Sequence, residues 1–586
     1  MSVDIAGLRE KYLAERDKRL RPDGASQYVR LADEFDIGDP FTPMTEREPL
    51  TDHTTVVCVG GGFSGLVVGA RLKEAGIEDV RIIDKAGDFG GTWYWNRYPG
   101  AQCDTTSYIY LPLLEETGHM PTEKYAHGPE ILEHCQRIGK QYDLYDKALF
   151  HTEVVDLRWD EGQSRWIIRT NRGDRLTAQF VVMGIGPLHV PKLPAIPGIG
   201  EFRGHSFHTN RWDYDYTGDS LEKLADKRVA IIGTGATSVQ AVPQLSRACG
   251  ELFVIQRTPS SVDARDNRPT DPEWFAEMAT PGWQRRLLAN FADVLGGVAE
   301  QDMIHDGWTE IPGRLRAEMT ALPAEERTMA TRMKLAEQAD YEKMDQIRSR
   351  VDAIVADHDT AQHLKAWYRR LCKRPCFHDE YLQSFNNPNT HLVDTDGRGV
   401  ERITADGVVA GGREYEVDCV IYASGFEVNT DFTRRSGYEV TGRGGVTLTD
   451  QWSDGMRTLH GMHTRGFPNA FVVQPTQGAN LIANVPSNIV DSAATIAAIV
   501  GHATRDGHRE VEVTSEAQEA WVELLLTAQP TALGGPDCTP GYYNNEGQDR
   551  GAAGQLLVGY PQGPSAFFHY IEQWRATGAF EGLEFR

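Results

Sequence analysis

TTVVCVGGGFSGLVVGARLKEAG, residues 54–76, is the stretch whose reading decides the fold. The run Val56-Val57-Cys58-Val59 has the length and β-branched content of a buried strand, and Ser64 to Glu74 reads as a helix. Between them stands Gly60-x-Gly62-x-x-Gly65, with Phe63 and Ser64 in the turn. The first glycine permits a tight turn, the second lets backbone approach a pyrophosphate, and the third allows close helix–strand packing. The helix that follows points its unpaired N–H groups at phosphate charge. The next strand-like run, VRIID, ends in Asp84, 24 positions after Gly60, followed by Lys85. A carboxylate there accepts hydrogen bonds from the two ribose hydroxyls of FAD or NAD. Strand, glycine turn, helix, strand and acid together make a Rossmann-type unit.

The pattern returns in DKRVAIIGTGATSVQAV. Val229 to Ile232 form the strand, and Gly233-Thr234-Gly235-Ala236-Thr237-Ser238 the turn, with a small serine for the third glycine. After the second strand, ELFVIQ, comes Arg257 with Thr258 beside it, again 24 positions from the first glycine. A carboxylate at that point repels the 2′-phosphate of NADP, whereas guanidinium and hydroxyl bind it. The second unit is therefore expected to select NADPH over NADH.

A chain of 586 residues has material for roughly three or four domain-sized units. The expected fold is α/β, with two Rossmann-type dinucleotide-binding domains, for FAD and NADP, and an α-helical insertion in the NADP domain. Residues 1–50 read as an N-terminal extension and 51–195 as the first part of the FAD-binding domain. Residues 196–390 read as the NADP-binding domain, with the helical insertion at about 266–371. Residues 391–586 read as the second part of the FAD-binding domain with a C-terminal extension. The 60 basic and 84 acidic residues give a formal charge of −24, which argues against nucleic acid or an anionic membrane as partner. No apolar run reaches the ~20 residues of a membrane span. The N-terminal stretch carries charges where a signal peptide has its apolar core. It reads as an amphipathic helix with Ile5, Leu8 and Leu13 on one face, ending near Pro22–Gly24. Eight cysteines without a CxxC pair or a metal-ligand pattern read as reduced, mostly buried thiols of a cytoplasmic protein.

Two further motifs are more specific. FRGHSFHTNRW, residues 202–212, has the spacing Phe-x-Gly-x3-His-x3-Trp through Phe202, Gly204, His208 and Trp212, and it lies between the two glycine loops. GGTWYWNRYPGAQCD, residues 90–104, has the form Gly-Gly-x-Trp-x4-Tyr-Pro-Gly-x3-Asp. Both resemble fingerprints of the type I Baeyer–Villiger monooxygenases. The resemblance covers nearly the whole chain and is greatest to the cyclopentadecanone monooxygenase branch, which acts on large cyclic, terpenoid or steroid ketones. It implies an FAD enzyme reduced by NADPH, in which O2 forms a flavin peroxide that adds to the ketone carbonyl and leaves a lactone.

The resemblance also implies site residues. In CKRPCFHDEYL, Lys373 reaches the 2′-phosphate and Arg374 enters the active site, paired with Asp104. Pro375 keeps Arg374 out of a helix interior. Gly91, Thr92, Trp93, Trp95, Tyr110, Val154, Asn484 and Val485 are expected near FAD, and Ala423-Ser424-Gly425-Phe426 resembles an Ala-Thr-Gly element of the same domain. Tyr542 stands where better-known members carry a tryptophan over the nicotinamide. His208 is expected to couple NADP binding to closure as part of a hinge. The expected partners are a hydrophobic cyclic ketone and O2. An N- or S-oxygenating flavin monooxygenase shares both loops, but its linker lacks the Trp-Asp ending seen at Trp212-Asp213. A disulfide reductase is disfavoured by the missing CxxC.

Overall fold

Two β-sheets carry the two glycine loops. The computed structural model describes residues 4–30, 38–428, 430–480, 483–528 and 534–586. In the first sheet Thr51–Val59 lies between Val80–Ile83 and Arg175–Met183, parallel to both. Val154–Asp160 and Arg165–Thr170 extend it antiparallel, Glu439–Thr441 forms its edge, and Ala470–Val472 joins the end of Arg175–Met183. The strand run lacks polar alternation because both faces are covered. Val56 and Cys58 share a core with helices Phe63–Glu74 and Val485–Asp506, through Leu66, Ile489 and Ile496. Val57 and Val59 face a second core containing Trp159, Trp166 and Phe432.

The second sheet is fully parallel, in the order Thr390–Asp394, Glu251–Gln256, Arg228–Ile232, Cys419–Tyr422 and His205–His208. This corrects the expected return to the first sheet at residue 391. Cys419–Tyr422 is a buried apolar run whose backbone pairs on both sides, with Val229–Ile232 and with His205–His208, so its place is inside the second sheet. The chain rejoins the first sheet only at Glu439. His205–His208 is the edge strand of this sheet.

The span 266–371 is helical, with Pro272–Met278, Trp283–Gly296, Glu310–Ala321, Met329–Ile354 and His358–Leu364. The N-terminal helix runs Ile5–Asp17, capped by Asp4 Oδ1 accepting from the Gly7 N–H at 3.1 Å, and stops before the expected Pro22–Gly24. Its buried residues are Tyr12 and Glu15, while Ile5, Leu8 and Leu13 are only half-buried. Among the described residues no helix is long and apolar enough to cross a membrane.

The expectation of uniformly reduced cysteines fails at one pair. Cys372 and Cys538 form a disulfide across 166 residues, whereas the other six cysteines are free and buried. Spacing is silent here because the two thiols meet only through tertiary packing. A non-reduced digest should show the two peptides joined. Cys538→Ser should lower the thermal midpoint, since closing a loop of this length contributes up to about 5 kcal/mol in the chain-entropy account. Separate peptides and an unchanged midpoint would remove the cross-link.

Candidate active site

The first glycine loop is shaped by close approach. A Cβ on Gly65 would strike the Gly60 carbonyl oxygen, and one on Gly91 would come within 2.6 Å of the Gly62 Cα. The Gly90–Gly91 turn therefore sits directly on the phosphate loop, where the Gly90 N–H also donates to the Gly61 carbonyl at 3.0 Å. Asp84 is buried beside them and accepts from the N–H groups of Gly61 and Ala86; burial pushes its pKa up. Lys85 lies 6.0 Å from the Trp95 ring, and burial lowers its pKa to about 8.

The fingerprint segment ties this block to the second sheet. Beyond the strand His205–His208, the Asn210 amide donates to Asn96 Oδ1 at 3.2 Å, and the Arg211 guanidinium lies 3.7 Å from the Trp95 ring centroid. Trp212 is fully buried with Phe207 and Val229, its indole N–H on Thr217 Oγ1 at 3.0 Å. His208 is buried, its Nδ1 accepts from the Asn210 N–H at 3.1 Å, and burial lowers its pKa to about 3. It is a neutral imidazole throughout the physiological range.

Asp104 ends the GGTW block and meets Arg374. The guanidinium donates from Nη2 to Oδ1 at 2.7 Å and to Oδ2 at 2.9 Å, and from Nε to Oδ2 at 3.1 Å. The carboxylate keeps only 11% of its surface exposed and the arginine 41%, so the cation retains an open face with its anion behind it. Burial works against the charge, but the Asp104 carboxylate outweighs it and holds Arg374 well above the ordinary arginine pKa. The loop bearing Asp104 is fastened from the second unit: Tyr98 donates to Gln240 Oε1 at 2.7 Å, and the Gln240 amide donates to the Gln102 carbonyl at 2.8 Å. Trp308, from the helical insertion, donates to the Asp104 carbonyl at 2.8 Å, with its ring 5.5 Å from the Arg374 guanidinium carbon. Tyr110 accepts from the Trp93 indole at 3.2 Å. Asn484, which opens the helix Val485–Asp506, donates to the Ile109 carbonyl at 2.5 Å.

The second glycine loop opens helix Ala236–Ala248. Thr234 Oγ1 donates to the Thr258 carbonyl at 2.8 Å. The buried hydroxyls of Ser238 and Thr258 meet no hydrogen-bond partner among the described residues. Arg257 faces Gln27, Tyr28 and Glu546. Lys373 donates to the Pro540 carbonyl at 3.3 Å, and burial lowers its pKa to about 8. Tyr542, in the same C-terminal segment, is held well above the usual tyrosine pKa by burial, with the Arg374 charge opposing.

Comparison with known proteins agrees with this geometry. Residues 57–274 match the family described as pyridine nucleotide-disulphide oxidoreductase. Over 597 aligned residues the chain is 49% identical to neopentalenolactone D synthase of Streptomyces avermitilis, covering all of both chains. It is 48% identical over 594 residues to a Baeyer–Villiger monooxygenase of Stachybotrys chlorohalonatus, covering all of this chain and 95% of that one. The solved structure of the polycyclic ketone monooxygenase from Thermothelomyces thermophila superposes with a TM-score of 0.90 at 38% identity, over 99% of each chain. The chain belongs to the type I Baeyer–Villiger monooxygenases.

The monooxygenase is an FAD-containing, NADPH-dependent enzyme, and its two loops fit those cofactors. The first offers a cradle that admits backbone alone, at a helix N-terminus, with a buried acid; the second offers orphaned buried hydroxyls beside guanidinium and ammonium. Reasoning from sequence missed Gln27, Tyr28, Lys192, Glu546 and Trp308, which reach the site from distant segments. Tyr28 is brought in by the strand Tyr28–Arg30 pairing with Lys192–Pro194, and the Lys192 ammonium lies 3.8 Å from the Tyr28 ring centroid. None of these residues belongs to a spaced motif.

Arg257→Ala should weaken NADP+ about 10- to 100-fold, the value of a charged hydrogen bond, and leave NAD+ nearly unaffected. Equal losses for both would remove the 2′-phosphate assignment. Only protonated Lys373 attracts phosphate, so NADP+ affinity should fall as pH rises from about 7 to 9 through the lowered pKa. Lys373→Arg should flatten that titration, because guanidinium stays charged.

Proposed function

We propose that this monooxygenase inserts one oxygen atom beside the carbonyl of a large, hydrophobic, polycyclic or macrocyclic ketone and releases a lactone. The observation that carries this reading is Arg374, an obligate cation with an open face, held by Asp104 at the junction of the two nucleotide units. FAD reduced by NADPH supplies the redox chemistry that activates O2. The chain's residues supply charge and position. In this reading Arg374 stabilises negative charge developing on the oxygens of the reacting centre, as a fixed donor fork does best in a site sheltered from water. Asp104 aims the fork and tempers its charge. Arg257, Thr258 and Lys373 hold the 2′-phosphate, while Gly60, Gly62, Gly65 and Asp84 hold the flavin nucleotide. His208, neutral and buried, does no proton transfer; the segment it belongs to transmits occupancy of one nucleotide unit to the other.

The substrate class draws support from the relatives, since the Streptomyces protein is named for a lactone and the Thermothelomyces structure for a polycyclic ketone. The chain works in the cytoplasm in this reading, where NADPH is regenerated.

The test supplies the FAD-loaded enzyme with NADPH, ¹⁸O2 and a panel of macrocyclic, steroid and terpenoid ketones, and weighs the products. A lactone with one heavy oxygen is expected. Arg374→Ala should lower lactone yield about 100-fold or more while flavin reduction persists, the scale of losing a principal charge-stabilising donor. Full lactone formation by that variant would overturn the role.

A further inference from the structure

We propose that Glu546 is an internal stand-in for the cofactor's 2′-phosphate: its carboxylate occupies the cationic cradle in the nucleotide-free protein, and NADPH binds by displacing it. The inference rests on the reading in which Arg257 and Lys373 hold that phosphate.

Glu546 is 5% exposed. Its Oε1 lies 3.6 Å from the Lys192 ammonium and its Oε2 3.5 Å from Arg257 Nη2. These contacts are loose, and Oε2 is buried without a hydrogen bond of good geometry. A buried carboxylate normally recruits several donors, so this one is poorly served by its surroundings. The cradle is matched to a larger anion. A phosphate monoester brings more negative charge and three terminal oxygens, enough for guanidinium, the two lysines and the Thr258 hydroxyl together. A carboxylate left beside it would repel it.

The backbone at this carboxylate is strained. Asn545 and Glu546 both have positive φ, 53° and 55°, a region that side chains with a Cβ occupy at a cost. The turn is pinned around this tip. Cys538 is cross-linked to Cys372, next to Lys373, and Asn544 Oδ1 accepts from the N–H groups of Gly541 at 2.9 Å and Gly547 at 3.2 Å. On the far side the Gln548 amide donates to the Arg21 carbonyl at 3.0 Å. Displacing the tip breaks the hydrogen bond that the Glu546 N–H donates to the Gly541 carbonyl at 2.9 Å.

The test is calorimetric titration of the FAD-loaded full chain with NADP+ and NAD+. Glu546→Gln should bind NADP+ about fivefold more tightly, the worth of one partly screened ion pair, with NAD+ unchanged because it carries no 2′-phosphate to compete with the carboxylate. Glu546→Ala should move the same way. In the wild type, amide hydrogen exchange in residues 541–548 should rise with NADP+ and stay constant with NAD+. Unchanged or weaker NADP+ binding by Glu546→Gln, or exchange indifferent to NADP+, overturns the inference. Arg257→Ala separates the two readings. If it discriminates NADP+ from NAD+ as well as the wild type does, the phosphate cradle itself is wrong. If its discrimination falls while Glu546→Gln binds as wild type, only the role of Glu546 fails.

Discussion

The pair Arg374–Asp104 is the constraint around which the molecule is arranged, because it brings together residues 270 positions apart and holds a charge in a partly dry place. Removing two charges from water is costly unless geometry and further hydrogen bonds compensate. Three donor–acceptor contacts compensate here, and each side is braced from elsewhere. The loop of Asp104 hangs on Gln240 from the second nucleotide unit and on Trp308 from the helical insertion. The extended segment of Arg374 is anchored next door by the Cys372 cross-link. A shift of either unit therefore reaches the cation.

The two nucleotide loops solve opposite electrostatic problems with one backbone plan. Both use a glycine turn opening a helix, so both favour phosphate through the helix N-terminus. They differ 24 positions on, where Asp84 is buried against the first loop and Arg257 faces a cluster of polar and charged side chains beside the second. A chain with a formal charge of −24 gathers Arg257, Lys192 and Lys373 in one place, where burial lowers the pKa of Lys373 to about 8. Concentrated like charge of this kind needs a counter-ion. The C-terminal segment supplies one, and that segment is covalently fastened beside the site.

The fingerprint residues illustrate how a motif can be legible before its structural meaning is. Phe202, Gly204, His208 and Trp212 stand out by spacing, yet their segment is an edge strand with a tight turn, built into the second sheet and resting on Trp95 and Asn96 of the first unit. The same holds for Cys419–Tyr422. Its apolar run announces a buried strand but carries no label for which sheet, and only pairing with Val229–Ile232 settles that.

Local sequence determined the elements whose physics is local: both glycine turns, the strands and helices flanking them, the acid and the arginine 24 positions on, and the non-helical setting of Arg374 before proline. Through its resemblance to a known family it also implied the reaction class and the partnership of Asp104 with Arg374. Tertiary structure decided what depends on residues meeting across hundreds of positions. The Cys372–Cys538 cross-link, the return of strands 390–394 and 419–422 to the second sheet, and the assembly of Gln27, Tyr28, Lys192 and Glu546 around Arg257 are of that kind. Such contacts are set by packing and by charge balance in a shared low-dielectric space. Neither leaves a periodic trace in the chain, and so they are decided only once the chain has folded.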